Sequence, residues 1–408
     1  MDTYIKHLTI NNVRNITGLS IPLSGEKRKH LIFTGKNGSG KTTVLLEIQK
    51  ALEAYESLSK HQAESYDYLK SSIDAKKQLI ITNPEYKLHY EMEIAQAEHK
   101  INNLSIHLQF SNSENIQELI KKDNFILAFF NAKRHSSLDS TYGINKLVLK
   151  KAKINEQTLG SSFLQFIVNM KADRAFAWEE GETITVEKID KWFENLENQL
   201  KEIFDVKKLE LKFDRHNYNF NIIIDDNITF DFNTLSDGYS AIISIISDVI
   251  MRMEMFNAKA YDLEGIVIID EIETHLHVDL QKKILPFLIS FFPKIQFIIT
   301  THSPFVLISL RDAVICDLET NIITNDLSQY SYEDIVENYF KIDQYSEFVK
   351  KKIERFEELI KSKELSIPES VELKNLRDYF AHSPKFLSNE ITSKLLELQL
   401  FEITQNKN

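Results

Sequence analysis

The sequence predicts an α/β fold in which helices cover a mixed, mainly parallel sheet, with an inserted helical lobe or short arm and a C-terminal helical extension. Short apolar runs that end in turn residues alternate with segments of helical periodicity, which is the pattern of parallel strands joined by crossover helices. In addition, three of the ten glycines fall within "GKNGSG", directly after the apolar run 31–33 and before a helical pattern. This concentration of glycine in a glycine-poor chain indicates a strand, an anion-binding loop and a helix.

Length and composition fit a globular protein of one large lobe or two closely joined lobes. The chain has 408 residues, of which 43% are hydrophobic and 27% charged, and it contains no apolar run long enough to cross a membrane. The N-terminus "MDTYIKHLTI" lacks the basic and apolar segments of a signal peptide, so we expect a cytoplasmic protein. The single cysteine, Cys316, excludes an intrachain disulfide and a cysteine metal cluster.

The formal net charge of −11 opposes nonspecific attraction to nucleic acid. Local basic strips nevertheless occur at residues 26–29, 131–135 and 147–153. Solvated surface charge is the simpler interpretation of these strips, and a nucleic-acid contact is the alternative.

The first half of the chain contains the glycine loop and the predicted insertion. Residues 4–10 and 19–23 alternate as short strands, and "HLIFTG" is a buried strand that leads into the loop. From Thr42 to about Leu79, apolar residues recur at three- and four-residue spacing without proline or glycine, which predicts a protruding helix or helix pair. Further strands are predicted at 103–110, 124–130, 207–213, 218–224 and 228–232, and helices at about 156–177 and 185–204.

The second half repeats the α/β alternation and then becomes helical. A helix near 238–256 precedes the strand "GIVIID" at 265–270, and a helix at about 278–290 precedes the strand "QFIIT" at 296–300. Beyond about residue 330 only helical patterns remain, at 332–340, 347–360 and 388–403. The predicted division is therefore an N-terminal part (1–48), an insertion (49–232), a second part of the same head (233–325) and a helical region (326–408).

The octapeptide "GKNGSGKT" matches the phosphate-loop pattern GxxxxGK[ST] at every fixed position and lies between a strand and a helix. Backbone N–H groups of such a loop point towards phosphates, and the helix N-terminus adds its positive dipole end. We therefore expect Lys41 to bridge the β- and γ-phosphates of a nucleotide and the Thr42 hydroxyl to hold Mg²⁺. The predicted nucleotide-binding residues of this segment are Gly35, Lys36, Asn37, Gly38, Ser39, Gly40, Lys41, Thr42 and Thr43.

The strand "GIVIID" ends in two carboxylates, Asp270 and Glu271. A carboxylate at this position can hold Mg²⁺, while its neighbour can deprotonate the attacking water. We assign Asp270 to the metal and Glu271 to the base. A strand that merely ends in an acidic turn is common, but the phosphate loop favours the catalytic interpretation.

Two further segments are candidates for nucleotide contact. His302 follows the next strand in "TTHSP", where its imidazole could bond the γ-phosphate, because neighbouring parallel strands end at one sheet edge. A histidine at a strand end is more often structural, but the flanking residues favour a functional role. "TLSDGYSAI", residues 234–242, turns into a helix and could bind an anion, although an ordinary helix cap is the more frequent reason for such a sequence.

Taken together, these motifs resemble the ATP-binding cassette (ABC) ATPases of the SMC, Rad50 and RecF type. "NNVRN", the phosphate loop, "LSDGYSA", "IVIIDE" and "TTHSP" occur in the order of that family over residues 4–317. The resemblance implies a P-loop ATPase head, with ATP and Mg²⁺ as cofactors, that forms a homodimer or higher oligomer around two ATP molecules. It also implies that Ser236 and Gly238 of one subunit contact the nucleotide of the other. Asp237 and Tyr239 replace a glycine and a glutamine of the usual signature.

The segment 269–307 resembles, more specifically, the ATPases of antiphage operons, such as the Septu ATPase subunits (PtuA proteins) and their retron-encoded forms. "FFNAKRHSS", residues 129–137, is similar to a segment of these proteins and is expected to place Arg134 near the nucleotide or the lobe junction. The resemblance implies a separate effector, commonly an HNH nuclease, with a retron reverse transcriptase or nucleic acid as a further partner. No nuclease motif is recognised after residue 317, so we expect an ATPase without nuclease chemistry of its own.

Two alternatives remain open at this stage. One is a RecF-like repair or recombination ATPase that binds duplex DNA through the basic strips. The other is a nucleotide-dependent interaction module that scarcely hydrolyses ATP.

Overall fold

A computed structural model describes residues 2–56, 66–134, 138–156, 159–225, 228–255, 263–340, 347–362 and 365–381. The chain divides into two compact units, Met1–Tyr332 and Glu333–Asn408. The predicted helical segment at 388–403 and residues 57–65 of the predicted arm lie outside the described residues.

Strands and helices alternate along most of the first unit. The strands are β1 (Ile5–Val13), β2 (Ile16–Pro22), β3 (His30–Thr34), β4 (Ile106–Phe110), β5 (Phe125–Phe130), β6 (Leu209–Asp214), β7 (Asn219–Ile224), β8 (Ile228–Asp231), β9 (Glu264–Ile269), β10 (Ile295–Thr300), β11 (Ala313–Asp317) and β12 (Ile322–Asn325). The helices are α1 (Lys41–Glu56), α2 (Tyr66–Thr82), α3 (Lys87–Asn103), α4 (Ser113–Lys121), α5 (Phe163–Glu180), α6 (Thr183–Phe204), α7 (Asp237–Met255), α8 (Val278–Phe291), α9 (Pro304–Leu307), α10 (Tyr332–Asp334), α11 (Glu347–Lys361) and α12 (Ile367–Ala381).

The main sheet has six strands in the order β12-β11-β3-β10-β9-β5. All neighbouring pairs are parallel except β11 and β12, so the predicted mixed, mainly parallel sheet is confirmed. Every residue of β3, β5, β10 and β11 is buried, as expected for strands whose faces are both covered. Strand β10 lies between β3 and β9, and this order brings the segments that follow these three strands to one edge.

Two smaller antiparallel sheets complete the first unit, in the orders β2-β1-β4 and β6-β7-β8. Burial alternates along β2, β4 and β7, which is the pattern of strands with one face on a core and one face outside it. The central hydrophobic core joins β1, β2 and β4 to β3, α1 and β5 through side chains that are almost fully buried, for example Ile10, Phe33 and Ile48.

The range 49–232 contains both helices and strands of the sheets. Helices α2 and α3 form a pair joined by a short 3₁₀ turn at Pro84–Tyr86. The helix or helix pair predicted for 42–79 corresponds to α1 and α2, and α3 lies beyond the predicted range. A small core of Leu69, Ile73 and Ala97 holds the pair together. Within the same range, β5 is an edge strand of the main sheet beside β9.

Several elements were not predicted. Strands β11 and β12 are only five and four residues long, α3 has weak apolar periodicity, and α4 is only nine residues long. Such short or weakly patterned elements depend on pairing or packing with a neighbouring strand or helix, which a local pattern does not reveal.

The second unit is helical where it is described. Helices α11 and α12 pack through Phe356, Leu359, Leu376 and Phe380. This confirms the helical prediction for 347–360 and adds α12, which was not predicted. None of the helices in the described part of the chain is long and apolar enough to cross a membrane.

Candidate active site

The loop between β3 and α1 has a backbone that requires glycine. Gly35, Gly38 and Gly40 have φ values of 128°, 84° and 100°, in the region where an L-residue other than glycine costs on the order of 1–2 kcal/mol. A Cβ atom at Gly35 would also lie 3.1 Å from Ser39 Oγ and 3.2 Å from Asp317 Oδ1. The backbone conformation of this loop therefore requires the glycines that the sequence concentrates here.

The same loop presents polar donors that the described residues leave without partners. The amides of Asn37, Gly38 and Gly40 have no hydrogen-bond acceptor within the described ranges. The hydroxyl of Ser39 is buried and likewise has no partner there. Unpaired donors on one glycine-rich loop suit a phosphate group, which supplies several acceptor oxygens.

Lys41, the first residue of α1, closes this loop. Its Nζ donates to the carbonyl oxygens of Gly35 at 2.8 Å and Lys36 at 3.0 Å, and the residue is only 6% exposed. Burial lowers the pKa of Lys41, while the carboxylates of Glu271 and Asp270 act in the opposite direction. A buried cation on the phosphate loop fits the role predicted for Lys41.

The outer rim of the loop contacts the connection between β11 and β12. Lys36 Nζ lies 2.8 Å from Glu319 Oε1, and Asp317 Oδ1 accepts a bond from the Glu319 amide at 2.8 Å. Asn37 is exposed, and Thr43 is half-buried in the first turn of α1. The two acidic residues were not predicted because Asp317 ends β11 and Glu319 lies in the turn to β12, and the sequence analysis missed both strands.

Asp270 follows β9 and meets Thr42 across the sheet edge. Thr42 Oγ1 donates to Asp270 Oδ2 at 2.9 Å, and Thr300 Oγ1 donates to Asp270 Oδ1 at 2.6 Å. The Asp270 amide donates to the carbonyl of Phe130 at 2.8 Å, which continues the β5–β9 ladder by one residue. A hydroxyl and a carboxylate oxygen side by side fit Mg²⁺, which takes oxygen ligands and uses only one or two protein carboxylates beside phosphates and water.

Glu271, the predicted base, has an unusual backbone. Its φ of 45° lies in the left-handed region, which is rare for a residue other than glycine. Its amide donates to Thr300 Oγ1 at 2.7 Å, and Thr274 Oγ1 donates to Glu271 Oε2 at 3.4 Å. The Thr300 hydroxyl therefore bonds to both the predicted metal ligand, Asp270, and the predicted base, Glu271. In the sequence, Thr300 could have been found as a polar residue at the end of an apolar strand.

His302 lies two residues after β10, half-buried at the same edge. Its amide donates to Glu273 Oε1 at 2.5 Å, and Thr301 Oγ1 donates to Glu273 Oε2 at 2.8 Å. Burial, followed by the charge of Lys41, lowers the pKa of His302 below its usual 6.5, which favours a neutral imidazole at pH 7. Glu273 was not singled out in the sequence, although it is the third acidic residue of "DEIE".

Arg134, which follows β5, lies against the turn after β9. It donates to the carbonyl oxygens of Asp270 at 2.9 Å, Glu271 at 3.1 Å and Ile272 at 3.2 Å. Burial lowers its pKa to about 10, against the raising effect of nearby carboxylates, so the guanidinium stays protonated at pH 7. It also donates to the carbonyl oxygen of Asn131 at 3.3 Å, so its hydrogen bonds to the described residues are with backbone carbonyls.

Comparison with known proteins supports this picture. Residues 134–309 match the family model described as "AAA domain, putative AbiEii toxin, Type IV TA system". The matched range contains Arg134, Ser236, Asp270, Glu271 and His302, and the phosphate loop precedes it.

Curated relatives of this chain include Septu and retron proteins. A Septu protein PtuA from Bacillus mycoides (strain KBAB4) is 26% identical over 330 residues, which are 78% of this chain and 41% of that protein. A "Retron Ec83 probable ATPase" from Escherichia coli is 41% identical over 87 residues, 20% of this chain and 16% of that protein. The predicted similarity to Septu and retron ATPases is thereby confirmed, and the chain spans 41% and 16% of the length of these two relatives.

Among solved structures, the SMC head bound to the C-winged helix domain of ScpA aligns with a TM-score of 0.38 and 10% identity. The alignment covers 80% of this chain and 99% of that one.

Within the matched range, the segment "LSDGYSA" forms the start of α7. Ser236 is exposed directly before the helix. Gly238 is buried, and a Cβ there would lie 3.0 Å from the carbonyl oxygen of His275, so this position needs glycine for packing as well. Tyr239 stacks on Phe204 at the end of α6, with ring centroids 4.2 Å apart and an interplanar angle of 5°. This intrachain stack gives Tyr239, which replaces the usual glutamine, a packing role.

The basic strips are partly engaged in contacts within the chain. Arg28 Nη1 donates to the carbonyl of Lys294 at 2.7 Å, Arg134 is buried, and Lys151 forms an ion pair with Asp123. The interpretation of these strips as merely solvated charge is therefore wrong for Arg28 and Arg134, whose guanidinium groups donate to carbonyl oxygens of the chain itself.

Proposed function

We propose that this chain binds ATP with Mg²⁺ and hydrolyses it to ADP and phosphate. The observation that carries the proposal is the contact between Thr42 and Asp270 beside the loop that Lys41 closes. A phosphate loop, a metal-binding hydroxyl and a carboxylate at one sheet edge are the parts that phosphoryl transfer requires.

The residues have distinct roles in the proposed reaction. Lys41 and the loop amides bind the β- and γ-phosphates and hold them in line with the attacking water. Glu271 takes a proton from that water as its oxygen bonds to the γ-phosphorus and the bond to the β–γ bridging oxygen breaks. His302, with a neutral imidazole, donates a hydrogen bond to the γ-phosphate. Mg²⁺, held by Thr42 and Asp270, would neutralise charge on the phosphate oxygens.

The proposed oligomer is a dimer or higher assembly in which two subunits enclose two ATP molecules. Its support is the exposed position of Ser236 before α7, where it is accessible to a second subunit. The amino end of α7 also adds the positive dipole end that a γ-phosphate favours. Gly238 allows this helix start to lie against His275 of its own chain.

We further propose that the ATPase controls or scaffolds a separate effector in bacterial antiphage defence, with an HNH-type nuclease as the effector. The support is the similarity to the Septu PtuA protein and the retron ATPase. A retron reverse transcriptase or nucleic acid is a further proposed partner, and the chain itself is proposed to lack nuclease chemistry.

Phosphate release from ATP by the purified chain tests the enzymatic part. We expect turnover with Mg²⁺ that EDTA stops, and a doubled molar mass in light scattering with ATP but not with ADP. A chain that neither binds nor hydrolyses ATP would contradict the proposed function.

The effector is tested genetically. The operon that encodes the chain is expressed in a phage-sensitive host, and each neighbouring gene is deleted in turn. We expect protection from phage to require the chain together with a neighbouring nuclease gene. Protection by the chain alone would overturn the proposal of a separate effector.

A further inference from the structure

The turn that follows β9 is bound by a cation that the proposed reaction does not use. Arg134 donates to three successive carbonyl oxygens, those of residues 270, 271 and 272, at 2.9, 3.1 and 3.2 Å. We propose that Arg134 is a positioning residue, which fixes the Glu271 carboxylate for proton transfer by holding the backbone of this turn. The inference rests on the proposed ATPase function and deepens it.

The backbone of the turn explains why it must be held. Glu271 has a φ of 45°, a conformation that costs free energy in any residue with a side chain. Three carbonyl groups directed at one point also repel one another unless a donor lies between them. Arg134 supplies that donor from a position that is only 4% exposed, where water cannot substitute for it.

Arginine suits this task better than lysine. The guanidinium is planar and offers five N–H donors in a fixed fork, so one side chain can bond several carbonyls and define their relative positions. A lysine at 134 would keep the charge but concentrate it on one nitrogen. The sheet fixes the position of the guanidinium. Arg134 lies four residues after Phe130, the last residue of β5, and the Phe130 carbonyl accepts a hydrogen bond from the Asp270 amide at 2.8 Å.

The opposite side of the turn is bound to the His302 segment. Glu273 accepts bonds from Thr301 Oγ1 at 2.8 Å and from the His302 amide at 2.5 Å. The turn is therefore held between Arg134, which follows β5, and the segment after β10. Loss of the Arg134 contacts should displace Glu271 relative to the phosphate loop without removing any group that binds nucleotide.

Arg252 provides a matched control for a test by substitution. It is another buried arginine, 3% exposed, that donates to the carbonyls of Leu127 at 2.9 Å and Lys153 at 3.2 Å and pairs with Asp248 at 2.6 Å. None of these partners belongs to the candidate active site. Arg134→Lys and Arg252→Lys therefore both disturb a buried network, but only the first disturbs the turn after β9.

The experiment measures thermal stability, the Kd for ATP, and kcat per bound nucleotide. For Arg134→Lys we expect a Kd within about threefold of the wild-type value and a kcat lower by about 30- to 100-fold, because misplacement of a reacting group by about 1 Å has an effect of this size. Arg252→Lys should lower thermal stability to a similar extent and change kcat by less than about threefold. If kcat falls equally in both variants, Arg134 is merely structural and the inference is overturned.

A double variant separates positioning from general damage. If Arg134 acts through Glu271, Arg134→Lys should lower the residual kcat of Glu271→Gln by less than about threefold. If the two substitutions together lower kcat by the product of their separate factors, the inference is overturned but the ATPase function stands. A wild-type chain without turnover would instead overturn the proposed function, and with it this role of Arg134. Because kcat is normalised to bound nucleotide, the folded fraction of a poorly folded variant is still informative.

Discussion

The hydroxyl of Thr42 donates to Asp270 Oδ2 at 2.9 Å, although 228 positions separate the two residues in the sequence. This contact joins the start of α1 to the end of β9. Strand β10 lies between β3 and β9, so Thr42 must reach across the end of an intervening strand. The candidate magnesium site therefore depends on the order of the strands as much as on the two motifs.

Lys41→Ala should weaken ATP binding by about 100-fold or more, because hydrogen bonds to charged groups each contribute roughly 1.5–3 kcal/mol. Titration with a fluorescent ATP analogue measures the Kd. Lys50→Ala is the control, since Lys50 lies on the same helix in an exposed ion pair with Glu47. Equal affinity of Lys41→Ala and wild type would contradict the role of the phosphate loop.

Glu271→Gln should slow hydrolysis by about 10²- to 10⁴-fold, which is the usual contribution of a general base. Its Kd for ATP should change little, because the amide keeps the size of the side chain. The ATP-bound oligomer should then accumulate, as light scattering of the variant with ATP would show. Asp279→Asn, an exposed change on α8, serves as the control. Turnover of Glu271→Gln at the wild-type rate would show that Glu271 is not the base.

Ser236→Ala should leave ATP binding to a single subunit unchanged but weaken the ATP-dependent oligomer and hydrolysis, because the serine is proposed to act on the partner's nucleotide. A mixture with Lys41→Ala subunits provides the sharper test. Each mixed dimer then contains one intact composite site, so random pairing should restore about a quarter of the wild-type activity. If the mixture is no more active than its components, Ser236 does not act between subunits.

The free energy of unfolding should depend on pH through His30, at the amino end of β3. Burial lowers the pKa of His30 to about 3, and its Nδ1 accepts a bond from the Phe297 amide at 3.1 Å. The unfolded chain, in which the pKa of histidine is about 6.5, binds a proton that the folded chain excludes. The folded state should therefore lose about 1.4 kcal/mol of stability per pH unit from this group as pH falls below 6.5 towards 3.

Urea unfolding at several pH values between 5 and 7 measures this dependence. His30→Gln should be less stable at pH 7 and should show a shallower loss of stability on acidification. The exposed His216→Gln serves as the matched control. Identical pH slopes for His30→Gln and wild type would show that His30 does not contribute to the dependence.

Much of the site could be predicted from the sequence because its chemistry lies in short contiguous strings. "GKNGSGKT" specifies a loop whose three glycines have positive φ values, and "IVIIDE" specifies a buried strand that ends in carboxylates. Apolar runs and helical periodicity likewise predicted most elements, including α1 and α2. These features depend on interactions between residues that are close in the chain.

The groups that hold the site in place could not be predicted in this way. Thr300 bonds Asp270, Glu273 bonds the His302 segment, and Arg134 bonds the turn after β9, in each case between separate strands of the sheet. The short strands β11 and β12 were missed for the same reason, since they form on a sheet edge already provided by β3.

The sequence by itself determined that a phosphate loop, an acidic strand end and a histidine after the next strand occur in the chain. Only the tertiary structure decided that they meet, because β10 inserts between β3 and β9 and aligns their carboxyl ends. It also decided which side chains support them, such as Arg134 beneath the Glu271 turn. The physical reason is that a hydrogen bond across a sheet depends on the order and register of strands, and no local pattern of residues contains that information.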